Sequence, residues 1–198
     1  REMVQAMKQI FDLLMNCIQG YENGKQQLFN LHVEPIQQKI DEIHKDYLKS
    51  FTQVRRSLDK KEVPTLQLLD FLEERRVELL VQRELTKALA RELQKTDRRP
   101  IGPKTWKCFV EYCESVEAYF DTGNGPSKYS WYSDFIRFMK VSRKVNLHNI
   151  YFTELDGGFG NDPRKDLIKE IDFVLEKKLP VALKKVQSNY AKLRSSLL

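Results

Sequence analysis

The chain has 198 residues, of which 41% are hydrophobic and 31% charged, and its formal net charge is +6. This length suffices for one well-buried domain, and the small numbers of glycines (8) and prolines (7) favour helix over sheet. No apolar run approaches the ~20 residues of a transmembrane helix, and no signal-peptide pattern opens the chain, so we expect a cytoplasmic protein. Because the chain begins at Arg1 and not at methionine, we expect a fragment or a processed product.

The first helical pattern spans residues 4–58, where apolar residues recur at steps of three and four, as in a coiled-coil seam. The seam consists of Ile10, Leu14, Cys17, Tyr21, Gly24, Leu28, Leu31, Ile36, Ile40, Ile43, Tyr47, Phe51, Val54 and Leu58. The pattern predicts either one very long helix or two helices joined near a break. Residues 20–24 are one weak point. Since Pro35 removes a backbone donor, we expect a kink or a short interruption between Leu31 and Pro35.

A second helical pattern, from Pro64 to Lys95, carries apolar residues on two sides. Such a helix needs neighbours on both sides, so we expect it to be the centre of a bundle. Its charged residues predict ion pairs three residues apart, such as Glu84 with Lys87. The sequence TDRRPIGP, residues 96–103, then reads as a linker.

Three more helices are predicted in the last half of the chain. The first has an apolar face from Trp106 to Phe120, and the second runs from about Lys128 to Lys144. A glycine-rich loop follows, and Asp162 and Pro163 should cap and open the last helix, which Pro180 should bend.

We therefore expect an all-α, elongated helical bundle with a long, kinked N-terminal helix and one glycine-rich loop insertion. It should be a single helical domain over residues 1–198. Its parts would be a long N-terminal segment (1–63), a central helix (64–97) and a C-terminal part (103–198).

The three cysteines, Cys17, Cys108 and Cys113, are an odd number in a chain too large to need a disulfide framework, so we expect reduced and mostly buried thiols. The spacing of Cys108 and Cys113 is not that of a zinc site, and no histidine lies near them in sequence. The sequence predicts no metal and no cofactor.

Positive charge is concentrated near the C-terminus. Residues 1–126 hold 20 basic and 20 acidic side chains, whereas residues 177–198 hold six basic residues and no acidic one. On a regular helix the basic side chains of Lys177, Lys178, Lys184, Lys185 and Lys192 project to one face. Together with Arg137, Lys140 and Lys144 on the preceding helix, they are candidates for binding a phosphate backbone or an anionic membrane. The alternative is the solvated surface of a bundle helix.

Arg143 and His148 have the Arg-x4-His spacing of the catalytic motif of HEPN-type ribonucleases, which are also all-helical. The resemblance implies RNA cleavage without a metal, in which the histidine acts on a proton beside the 2′-hydroxyl and the arginine stabilises phosphate charge. The polar residue that commonly follows the arginine in that family is replaced here by Lys144.

From these observations we expect a non-catalytic helical module that binds a partner protein or associates with itself. Its contact surface would be the seam over residues 4–58. A basic binder of nucleic acid or of an anionic membrane surface is the second hypothesis, and a helical ribonuclease is the third.

Overall fold

The computed structural model describes residues 2–60, 66–95, 102–121 and 163–197. Within these ranges every regular element is a helix and none is a strand. The helices are α1 (Glu2–Glu22), α2 (Gln26–Asp59), α3 (Leu66–Lys95), α4 (Pro103–Asp121), α5 (Pro163–Phe173) and α6 (Leu179–Leu197), and a π-helical turn (Val174–Lys178) joins α5 to α6. The predicted all-α bundle is confirmed. The helix predicted over residues 128–144 and the glycine-rich loop lie outside the described residues.

The helices divide into two compact units. Unit 1 comprises Arg1–Lys45, Val77–Asp121 and Val181–Leu198, and unit 2 comprises Asp46–Arg76 and Thr122–Pro180. Each unit is thus built from segments that are far apart in sequence. The single domain expected over residues 1–198 stays a prediction.

A tight turn separates α1 from α2. Gly24 has a φ of 66°, in the left-handed region where a glycine has no Cβ to clash. The amide of Gly24 donates to the carbonyl of Tyr21 at 3.0 Å, and the amide of Lys25 donates to the carbonyl of Gly20 at 2.9 Å. These two bonds form a Schellman motif, which satisfies the last carbonyls of α1. The amide of Phe29 then donates to Lys25 and starts α2.

The expected interruption between Leu31 and Pro35 is wrong, because α2 continues through Pro35 to Asp59, while a kink at Pro35 stays a prediction. A proline inside a helix costs roughly 3 kcal/mol through the lost hydrogen bond and the crowded turn. Val33 and Ile36 are both buried, on either side of Pro35. Burying two such side chains stabilises by about 1.5–3 kcal/mol each. The burial of Val33 and Ile36 therefore outweighs the cost of Pro35 within the helix, and the helical pattern is broken at Gly24 instead.

The turn also changes which residues of α2 face the core. The seam, read through a continuous helix, includes Leu28 and Leu31, but these are 40% and 64% exposed. Phe29 and Val33 are buried in their place. Residues 23–25 lie between the two helices, outside helical geometry, so the apolar pattern of α2 is shifted relative to that of α1. Beyond the turn, the buried positions are Phe29, Val33, Ile36, Ile40 and Ile43, again at steps of four and three.

The core of unit 1 joins α1, α2 and α4 through aromatic side chains. The ring of Tyr21 lies 4.8 Å from that of Trp106, and the ring of Phe29 lies 5.2 Å from that of Phe109. Helix α4 begins at Pro103, as predicted, because a proline suits the first turn of a helix.

Helix α6 packs antiparallel to α4 in unit 1. The hydroxyl of Thr105 donates to the carbonyl of Ser196 at 3.1 Å, and the side-chain amide of Asn189 donates to the carbonyl of Glu111 at 3.2 Å. Val186 and Leu193 are buried beneath them, as the helical pattern predicts.

Helix α3 matches the predicted central helix to within two residues at each end. Its predicted ion pair is present, with Lys87 Nζ 3.3 Å from Glu84 Oε1. Among the side chains that the structure describes in α3, Leu89 and Gln82 are buried. The predicted role of α3 as the centre of the bundle stays a prediction.

In unit 2, an ion pair connects α2 to α5. The Nε of Arg55 lies 3.0 Å from Asp172 Oδ1, and its Nη2 lies 3.5 Å from Oδ2. This fork-like pairing raises the pKa of Arg55. Near the end of this unit, Pro180 follows a π-helical turn. The wider turn relieves the crowding that a proline ring causes against the carbonyl four residues earlier.

Candidate interaction surfaces

Two exposed leucines stand out at the start of α2, and we call them the Leu28–Leu31 patch. Leu28 and Leu31 are three residues apart, so they share one face of the helix. Apart from these two and Gly24, the seam predicted as a contact surface is buried within the chain itself. Only this part of the seam is therefore left for a partner.

The patch borders a depression of about 350 Å³ between α1 and α2. Its lining consists of Asn16, Gln19, Gly20, Asn23, Lys25, Leu28 and His32. Most of the polar groups are amides, which both donate and accept hydrogen bonds. Gly20 keeps the two helices close here, because a Cβ at this position would lie 3.1 Å from the amide nitrogen of Phe29. Protein interfaces usually combine an apolar centre with polar groups around it, and the Leu28–Leu31 patch with the neighbouring amides offers both kinds of group.

A second surface is the part of α6 that belongs to unit 1. Lys184, Lys185 and Lys192 are exposed there, and we call them the α6 lysine face. Helix α6 contains no acidic residue that could neutralise them. Its arginine, Arg194, instead lies 3.4 Å from Glu34 on α2.

In unit 2, the predicted basic residues are Lys177 and Lys178, both in the π-helical turn. Lys177 is exposed, and the Nζ of Lys178 lies 5.8 Å from the centre of the Phe173 ring. This distance is within the range of a cation–π interaction. On a regular helix all five predicted lysines would share one face. Because the π-helical turn changes the angle per residue, the five lysines do not form one continuous face.

The remaining predicted site residues lie outside the described residues. They are Arg137, Lys140 and Lys144 of the basic group, and Arg143 and His148 of the ribonuclease-like motif. Binding by the former and catalysis by the latter stay predictions.

One half-buried polar pair in unit 1 was not predicted. The Nδ1 of His44 shares a hydrogen bond of 2.9 Å with the hydroxyl of Tyr119. Burial lowers the pKa of His44, while the charge of Asp41 acts in the opposite direction. The ring is therefore neutral at pH 7, which suits a hydrogen-bonding role between α2 and α4.

The thiols are free, and Cys17 and Cys113 are buried, as predicted. Burial raises the pKa of both thiols, so neither is a ready nucleophile at neutral pH. In the described part of the chain, no group of three or more His, Cys, Asp or Glu side chains is placed to hold a metal ion.

Sequence reasoning also missed a contact that holds the start of α4. The hydroxyl of Tyr21 donates to the carbonyl of Gly102 and accepts from the amide of the same residue, the latter at 3.1 Å. Gly102 has a φ of 131°. The glycine in the linker was a visible signal of a turn, but a partner 81 positions away leaves no mark in a local pattern.

Comparison of the chain with protein-family models, curated proteins and solved structures found no match. None of the helices described here has an apolar stretch long enough to cross a bilayer.

Proposed function

We propose that this chain is a non-catalytic helical interaction module that self-associates through the Leu28–Leu31 patch. The observation that carries the proposal is the exposure of these two leucines, at 40% and 64%, beside an amide-lined depression. Covering exposed leucine side chains removes apolar surface from water, which stabilises a complex by about 25 cal/mol per Å² of that surface.

A second copy of the chain suits this surface chemically. In a twofold interface the same patch meets itself, so the patch must be complementary to its own chemistry. Leucine packs against leucine. Asn16, Gln19 and Asn23 can each donate to an identical residue and accept from it. The lining holds one lysine, Lys25, and no carboxylate, so repulsion between two copies is small.

The size of the patch implies a weak complex. Two leucines and one depression make an interface at the small end of the known range, below about 1,200 Å² in total. Such an interface is typical of transient association. The coiled-coil character and the binding role expected from the sequence are part of this proposal. So is a cytoplasmic location, which the free thiols favour because reducing compartments keep thiols unpaired.

Sedimentation velocity over a wide range of protein concentration tests the proposal. The wild-type sedimentation coefficient should rise with concentration, and Leu28→Glu with Leu31→Glu should abolish the rise, because four carboxylates would be buried in the dimer. Val181→Glu is the matched control, since Val181 is another exposed apolar residue, at 67%, outside the patch. A wild-type chain that stays monomeric throughout contradicts the proposal. So does a double variant that associates as the wild type does.

A further inference from the structure

The α6 lysine face forms part of a line of hydrogen-bond donors along one side of the helix. Lys184, Ser188, Lys192 and Ser195 are all exposed and are separated by four, four and three residues. This spacing keeps them on one face, and Lys185 lies next to it. Lys184 and Lys192 are about 12 Å apart along the axis, at 1.5 Å per residue.

No carboxylate of the described residues forms an ion pair with this face. In the residues that the structure describes, none of the three lysines lies within 4.0 Å of a carboxylate oxygen. Helix α4 adds further positive charge at one end. Thr105 bonds to Ser196, so its exposed neighbour Lys104 lies near the last turns of α6. Glu111 and Glu114 follow in α4, next to the middle of α6.

We propose that the α6 lysine face binds the phosphate backbone of a nucleic acid without regard to sequence. Duplex DNA carries one phosphate charge per ~1.7 Å of axis, so 12 Å of helix face meets enough phosphates for all three lysines. Serine hydroxyls are frequent additional donors to phosphate oxygens. Lysine presents a point charge and not the planar fork with which arginine reads guanine, so this face contacts the backbone and not the bases.

An anionic membrane fits this face less well. Membrane-bound helices insert an apolar face into the lipid, but Val186 and Leu193 of α6 are buried in unit 1. Val181 is the one large apolar side chain exposed on this helix, so little apolar surface is left to enter a bilayer.

The proposal is tested by fluorescence anisotropy with a short labelled DNA duplex over a series of salt concentrations. The full chain should bind, with a logarithm of affinity that falls linearly with the logarithm of salt concentration. Replacing Lys184, Lys185 and Lys192 with glutamine should reduce that slope by about 2.7, at about 0.9 for each phosphate that a lysine no longer neutralises. Replacing three other exposed lysines, Lys8, Lys45 and Lys49, removes the same charge and should leave the slope unchanged.

Three results overturn the proposal: no binding of the wild type at low salt, an equal loss in both triple variants, or binding to vesicles containing phosphatidylserine but not to DNA. All six lysines are exposed, so the variants should keep the wild-type melting temperature. The outcome is independent of the Leu28–Leu31 patch, because every residue substituted lies outside it.

Discussion

Replacing Gly24 with alanine tests the turn that positions the Leu28–Leu31 patch. Gly24 has a φ of 66°, where a Cβ costs about 1–2 kcal/mol. Alanine also restricts the unfolded chain, which offsets about 0.4–1 kcal/mol of that cost. The net loss is about 1 kcal/mol, equivalent to a fall in melting temperature of about 2–4 °C for a chain of this size.

Circular dichroism during thermal unfolding measures this shift. Gly24→Asn should lose less than Gly24→Ala, because asparagine tolerates the left-handed region better than alanine does. Gln27→Ala is the control, since Gln27 is an exposed residue of the adjacent helical turn. A Gly24→Ala variant as stable as the wild type would refute the Schellman turn, and with it the phase reset in α2.

Three further predictions concern the core of unit 1. Phe29→Ala should cost about 3–5 kcal/mol in the free energy of unfolding because Phe29 is fully buried, whereas Leu31→Ala should change it by less than about 0.5 kcal/mol. Chemical denaturation measures both, and equal losses in the two variants would contradict the observed helix register. Because the pKa of His44 is lowered, the unfolded chain binds more protons than the folded one, so the melting temperature should fall as pH drops below about 6.5. The melting temperature of the His44→Gln variant should fall less over the same pH range. A variant with the same pH profile as the wild type would exclude this contribution. A thiol reagent should modify the half-buried Cys108 first in the native protein, and Cys17 and Cys113 only on unfolding; three equally fast thiols would contradict the packing.

Local periodicity predicted where the described helices lie, because each apolar stripe needs only its own spacing. It could not predict which weak point breaks the first pattern. Pro35 carries the stronger local signal, but the burial of Val33 and Ile36 comes from contacts with other helices. Gly24 carries the weaker signal, because its left-handed conformation is favourable only when the chain makes a turn at that point, and a local pattern does not show that it does.

The candidate surfaces were predictable to different degrees. The exposed lysines of α6 follow from a single helix pattern, since the opposite face is largely apolar. The Leu28–Leu31 patch does not, because those residues fit the seam until the turn resets its phase. Exposure of an apolar residue depends on what packs against it, which is a property of the assembled fold.

The most direct test of the proposed self-association is a distance between two copies of the chain. A nitroxide label on Gln27→Cys, in a Cys108→Ser background, lies beside the Leu28–Leu31 patch and on an exposed position. Pulsed dipolar spectroscopy should detect a short intermolecular distance that grows in amplitude with protein concentration and is lost in the Leu28→Glu, Leu31→Glu variant. The absence of any intermolecular coupling at this site in the wild-type patch, or its persistence in that variant, would contradict the account.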